Sequence, residues 1–180
     1  TQAARSAERA KALAPDSAAT QHMLGNVERE RFAYAAAEQH YLRAIAIDPS
    51  YPDVREDYAE LLYQVGRMRD AAIGTRQLIQ LDPYYIVGWM RQFDVETALD
   101  DRRESERALN RIRELDPDNI WSIYGALDYA LAFGREHEAR NAAAAIEARY
   151  PPQGALVRVL VPWVYGDTKG DAQAASAALN

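Results

Sequence analysis

Five prolines stand in strict register. Pro15, Pro49, Pro83, Pro117 and Pro151 follow one another at one constant interval. Three of the surrounding stretches read AIDPSYPD, QLDPYYIV and ELDPDNIW. In each, an apolar residue is followed by an acid and a proline, a strong stop signal for a helix. A fixed period of this kind identifies a repeat architecture, in which one supersecondary unit is stacked several times.

Aligning on the prolines exposes further columns. Ala3, Ala37, Ala71, Ser105 and Ala139 form a column of small residues, which predicts a close helix-to-helix approach. Tyr41, Thr75, Leu109 and Ala143 form a second column, and Ala44, Leu78, Ile112 and Ile146 a third. Two residues before the prolines lie Leu13, Ile47, Leu81 and Leu115, with Arg149 breaking the series. Apolar residues recurring at i, i+3 and i+4 predict an amphipathic helix. An earlier helix fits TQHMLGNVERE, VREDYAELLYQV, GWMRQFDVETAL and IYGALDYALAF. Gly66 and Gly134 follow two of these, with Asp100 in the third turn, where left-handed backbone is expected. Ser17, Ser50 and Asp118 or Asn119 are the expected N-caps, and Pro52 suits a first helical turn. No segment alternates with period two, so no strand is expected.

This pattern resembles the tetratricopeptide repeat (TPR) family, a helix–turn–helix repeat of about 34 residues. Leu24-Gly25, Ala37, Tyr41 and Pro49 carry the resemblance best, followed by Tyr58-Ala59, Ala71 and Pro83. The third unit has Trp89 but departs at Gln92-Phe93, Glu96 and Ser105, and the fourth has Ala126-Leu127. A weaker likeness, carried by Tyr51, Tyr58-Ala59 and Gly66-Arg67, is to TPR segments attached to bacterial cyclases and winged-helix regulators. The resemblance implies an all-α, right-handed superhelical solenoid of antiparallel helix pairs. On this register 1–17 is a second helix of a partial repeat. Residues 18–51, 52–85, 86–119 and 120–153 are complete repeats, and 154–180 is a partial or capping repeat. Within the last, a first helix interrupted by Pro162 is expected over 154–165, and a short Ala-rich helix over 171–179. A chain starting in mid-repeat and lacking an initiator Met reads as a fragment of a longer array.

In the family the sequence resembles, first helices line a concave groove that binds peptides or helices of partner proteins. The expected function is therefore a protein–protein interaction scaffold. The alternative is a structural or regulatory segment that packs on another domain of its own chain or self-associates through its terminal helices. Groove-facing columns place Asn26, Glu60, Asp94 and Asp128 in one polar ladder, each one repeat from the next. Glu56, Asp57 and Arg91 join it, with Tyr63, Trp121 and Tyr124 as aromatic ligand contacts. Glu30, Asp53 and Arg29 also fall on these columns. Acids outnumber bases, so the expected ligand is basic and partly apolar. Chaperone-binding relatives hold a C-terminal carboxylate at positions that here read His22, Asn26, Asp57, Val87 and Arg91. Asp57 would repel that carboxylate, so a carboxylate clamp is not expected.

Composition narrows the chemistry. The 180 residues contain no cysteine, which excludes disulfides and Cys-ligated metal but does not separate cytoplasm from periplasm. A net charge of −6 argues against nucleic-acid binding driven by phosphate neutralisation. No apolar run of membrane-spanning length and no leader are visible. Lysine occurs only at Lys11 and Lys169, and with the Ala-rich runs this usage fits a GC-rich bacterial genome. His22, His40 and His137 fall on three different helices and read as solvated. His137-Glu138 lacks the second histidine of a zinc-protease helix. Asp100 and Asp101 in LDDRRESER read as a solvated turn and helix start. Tyr34, Tyr41, Tyr58, Tyr129 and Trp163 read as packing residues, and Tyr84 and Tyr85 as junction residues. No catalytic, cofactor or metal site is expected.

Overall fold

The structure is a computed structural model that describes residues 2–165. Among them lie ten α-helices and no strand. The chain divides into two compact units, Thr1–Asp100 and Asp101–Asn180. The first holds α1 (Gln2–Leu13), α2 (Ala18–Glu30), α3 (Tyr34–Ile47), α4 (Pro52–Gln64), α5 (Met68–Leu81) and α6 (Ile86–Ala98). The second holds α7 (Arg102–Leu115), α8 (Ile120–Ala132), α9 (Glu136–Arg149) and α10 (Pro151–Val164). The stretch 171–179 lies outside the described residues.

The proline register has a physical basis in the turns. Asp48 Oδ1 accepts the backbone N–H of Ser50 at 3.0 Å, and Asp82 Oδ1 accepts that of Tyr84 at 2.9 Å. Each is an Asx turn that bends the chain where proline already bars helical continuation. The proline carbonyls are satisfied from the next helix. Gln21 Nε2 donates to Pro15 O at 2.8 Å, Arg55 Nε to Pro49 O at 2.8 Å, and Trp89 Nε1 to Pro83 O at 2.9 Å. These three donors themselves occupy one column of the repeat. Ser17 caps α2 and Asn119 caps α8, as expected. Ser50 does not cap α4: Tyr51 holds that position without a side-chain bond, while the Ser50 hydroxyl donates to Asp48. Asp118 pairs instead with Arg149 at 2.9 Å.

The turn within each helix pair uses left-handed backbone at four positions that recur with the same period: Phe32 (φ 61°), Gly66 (φ 79°), Asp100 (φ 60°) and Gly134 (φ 66°). Phe32 is unexpected there, because a side chain with a Cβ is strained in this region.

Packing follows the columns. Ala37, Ala71, Ser105 and Ala139 are all fully buried. Tyr41, Thr75, Leu109 and Ala143 are buried, as are Ala44, Leu78, Ile112 and Ile146. The column before the prolines behaves differently. Leu13, Ile47 and Leu81 are exposed, since helix C-termini leave the interface there. In the first unit, Ala37, Tyr41, Ala44, Val54 and Leu61 form one apolar cluster, and Leu62, Ala71, Ala72 and Val95 another. In the second unit, Leu127, Ala130, Ala139, Ala143, Ile146, Val157 and Val161 pack together. Tyr41 and Tyr129 are buried, whereas Tyr34 and Tyr58 are partly buried. The Trp163 side chain lies outside the described set. Helix α10 begins at Pro151 rather than at residue 154 and continues through Pro162, so that proline does not interrupt it.

Two of the departures in the third repeat, Gln92 and Glu96, are accounted for by a buried polar chain. Thr75 Oγ1 donates to Gln92 Oε1 at 2.5 Å, Gln92 Nε2 donates to Glu96, and Arg76 donates to Glu96 Oε1 at 2.7 Å. Glu96 is 1% exposed, so Gln92 and Arg76 supply the partners that a buried carboxylate requires.

Candidate functional site

Helices α2, α4 and α6 are the first helices of three successive pairs, and their facing side chains form one charged network. His22 on α2 is buried, not solvated, and its Nε2 lies 2.5 Å from Asp57 Oδ2 on α4. That bond requires a proton on Nε2, and Nδ1 lies 3.2 Å from the Tyr51 hydroxyl. Arg29 Nη2 pairs with Asp57 Oδ1 at 3.1 Å. Arg29 Nη1 faces Glu60 Oε2 at 3.1 Å, an ion pair without hydrogen-bond alignment. Arg91 on α6 donates to Glu56 Oε1 at 2.9 Å and Glu60 Oε2 at 3.1 Å on α4, and its Nη1 reaches Asp94 Oδ2 at 3.5 Å.

Six of the sequence-designated residues are therefore in one network: Asn26, Glu56, Asp57, Glu60, Arg91 and Asp94. Asn26 orients the Asp57 end. Its Oδ1 accepts the Tyr41 hydroxyl at 2.5 Å, which turns its amide toward the His22–Asp57 pair, 3.3 Å from His22 Nε2. Within the first unit the acids of the expected polar ladder, Glu60 and Asp94, are thus interleaved with guanidinium groups. Arg91 ties the rungs Glu60 and Asp94 together. Tyr63 is partly buried against the Leu62–Val95 cluster. Trp121, Tyr124 and Asp128 belong to α8 in the other unit. Trp121 is half exposed, Tyr124 packs partly on the Leu127 cluster, and Asp128 is exposed.

The carboxylates respond to competing effects. Burial works against the Asp57 charge, but the His22 hydrogen bond and Arg29 outweigh it, holding its pKa below the ordinary value. At Glu56 burial prevails over Arg91, and the pKa is raised. Burial likewise raises that of Tyr41. Glu56, Asp57 and Glu60 bring carboxylate oxygens within 4.8 Å of one another and could together offer ligands to a cation. All three are already engaged by Arg29, Arg91 or His22.

Sequence reasoning missed His22 as a network member and Tyr51 as its partner. The signal lay in the register. His22–Asp57 and Glu56–Arg91 are each 35 residues apart, and Glu60–Arg91 is 31 apart. One repeat plus one, or minus three, places side chains opposite each other on neighbouring first helices.

Elsewhere the histidines and acids play local roles. His40 Nδ1 bonds Gln21 Oε1 at 2.8 Å, and the exposed His137 lies 3.2 Å from Asn141. Asp101 caps α7 by accepting the Glu104 N–H at 3.1 Å. Tyr84 is exposed, and Tyr85 stands at the N-terminus of α6.

Antiparallel helix pairs with a small buried column and a turn-closing Asp-Pro define an all-α repeat solenoid. More narrowly, the fold is that of a tetratricopeptide-repeat array. A tetratricopeptide repeat protein from Parabacteroides merdae superposes with a TM-score of 0.86 at 15% identity, over 97% of this chain and 70% of its own. MamA from Desulfovibrio magneticus gives 0.72 at 11% identity, over 88% and 89%. The first TPR of Spaghetti (RPAP3), bound to the HSP90 peptide SRMEEVD, gives 0.56 at 19%, over 72% and 92%. No family model matches the sequence, and no curated protein does. No described helix is long and apolar enough to cross a membrane.

Proposed function

We propose that the chain is a protein-interaction scaffold whose first-helix face binds a basic, partly apolar peptide or helix of a partner. One observation carries this reading. Among the described residues, three carboxylates on α4, Glu56, Asp57 and Glu60, share two guanidinium groups, Arg29 and Arg91. The surplus negative charge on partly accessible side chains favours a cationic ligand. Tyr63 in the first unit, and Trp121 and Tyr124 with Asp128 in the second, supply faces for apolar or guanidinium groups. The fold's occurrence with a bound peptide in the RPAP3 structure supports a peptide ligand in kind. It does not support the same ligand. Here Asp57 places the chain's own carboxylate against His22, Arg29 and Asn26, so those donors are already occupied.

The test is fluorescence anisotropy with arginine–leucine, glutamate–leucine and serine–leucine peptides at low and high salt. The arginine peptide is expected to bind best, with an affinity that falls as salt rises. Asp53→Lys with Asp94→Lys should abolish that preference in a folded protein. Equal binding of all three peptides, or an unchanged preference in the double variant, would overturn the reading.

A further inference from the structure

A cleft of about 310 Å³ opens in the first unit between α3, α4 and α5. That is at the lower end of the roughly 300–1,000 Å³ range of ligand clefts. Its walls carry Leu42 and Ile73, 47% and 54% exposed, together with the half-buried Ile45. Part of the lining is Gly74, in the middle of α5. A glycine there weakens the helix, yet the packing does not require it. A Cβ at Gly74 would meet only Ala59 Cβ, at an ordinary 3.7 Å. The corresponding positions one and two repeats later are Ala108 and Ala142. What the missing methyl leaves is space in the cleft.

At the rim stands Arg55. Its Nε is committed to Pro49 O, and its Nη1 lies 3.4 Å from Gln77 Oε1. Among the described residues it has no carboxylate partner. Arg67, also in the lining, is different: it is already paired with Glu38 at 2.7 Å and Asp70 at 2.9 Å. Arg55 is thus a positioned, uncompensated cation beside an apolar cleft, on a chain whose net charge is −6.

We propose that this cleft is a docking site for a partner-protein segment carrying an apolar side chain beside a carboxylate. The apolar group fills the space over Gly74 between Leu42 and Ile73, and the carboxylate pairs with the free edge of Arg55. This ligand is opposite in charge to the one assigned to the first-helix face, and neither assignment depends on the other.

The test is titration of the ¹⁵N-labelled full chain with a short peptide of alternating leucine and glutamate. Matched leucine–lysine and serine–glutamate peptides serve as comparison. The leucine–glutamate peptide is expected to shift the amides of Leu42, Ile73 and Gly74, and the other two are not. Gly74→Leu, which fills the cleft, should weaken binding by about tenfold or more. Gly74→Ala, the gentler change should the leucine variant not fold, should give a smaller loss. Arg55→Gln keeps a donor to Pro49 O, as Gln21 does one repeat earlier, and should also weaken binding. Asp53→Lys with Asp94→Lys should leave it unchanged, which separates this site from the first-helix face. The proposal is overturned by no shift, by shifts confined to α2, α4 and α6, by equal binding of the lysine peptide, or by unchanged affinity in Gly74→Ala and Arg55→Gln. Self-association that shifts the same amides without peptide would make a second copy the occupant and also overturn it.

Discussion

Gly25 on α2 lies under the ring of Tyr41 on α3, so that a Cβ at Gly25 would fall 2.5 Å from Tyr41 Cε1. The ring cannot retreat. It is fully buried, and its hydroxyl is held by Asn26. Gly25→Ala should therefore destabilise the first unit by about 1–3 kcal/mol, the usual cost of overpacking. Urea unfolding followed by tyrosine fluorescence measures it, and an unchanged midpoint would show that the two helices can separate cheaply.

Gly74 predicts the opposite sign. Its missing methyl has room, so Gly74→Ala should raise stability by ~1 kcal/mol through helix propensity alone. A lowered midpoint would mean that α5 approaches α4 more closely than the 3.7 Å separation implies.

Left-handed turns separate backbone from packing effects. Nothing lies within 4 Å of a Cβ built on Gly66, yet its φ is 79°. Gly66→Ala should cost about 1–2 kcal/mol from backbone strain alone. Phe32→Gly at the equivalent turn should stabilise, though less, because the ring's edge contact with Tyr34 is lost. Thermal melts of both variants test this pair of signs. Matching signs would show that the turn conformation is not what matters.

Asp57 sets an acid-limb prediction. Its folded pKa lies below its ordinary value of 3.8. Its contribution to stability is therefore present above that value and is lost as pH falls through the lower, folded value. Glu56, with its pKa raised, acts in the reverse sense: protonation favours the folded state. Asp57→Asn should flatten the fall in stability below about pH 4, measured by urea unfolding across pH 2–7. An acid limb that stays as steep would place the linkage on other carboxylates.

The fold was legible because its period is long, regular and carried by small and apolar columns whose burial has no substitute. Ala71 and Ser105 could be placed in the core from register alone. The charged network was half legible. The acids could be assigned to one face, but two groups decided their pairing from elsewhere: Tyr41, a core residue whose hydroxyl reaches out to Asn26, and His22, whose burial depends on finding Asp57. Phe32 was illegible because local propensity argues against it, and only its spacing from Gly66 gives it away. Leu13 and Leu81 misled, since helical periodicity does not reveal where a helix end leaves its neighbour.

At the junction between repeats, a glutamine, an arginine and a tryptophan each deliver one N–H to a proline carbonyl six residues back. What recurs there is a bond rather than a residue. The position is consequently uncoupled from the rest of the side chain's character. A neutral amide, a fixed cation and an indole close the same turn while presenting three different chemistries. Each repeat can acquire its own recognition properties at that point without renegotiating the architecture that holds it.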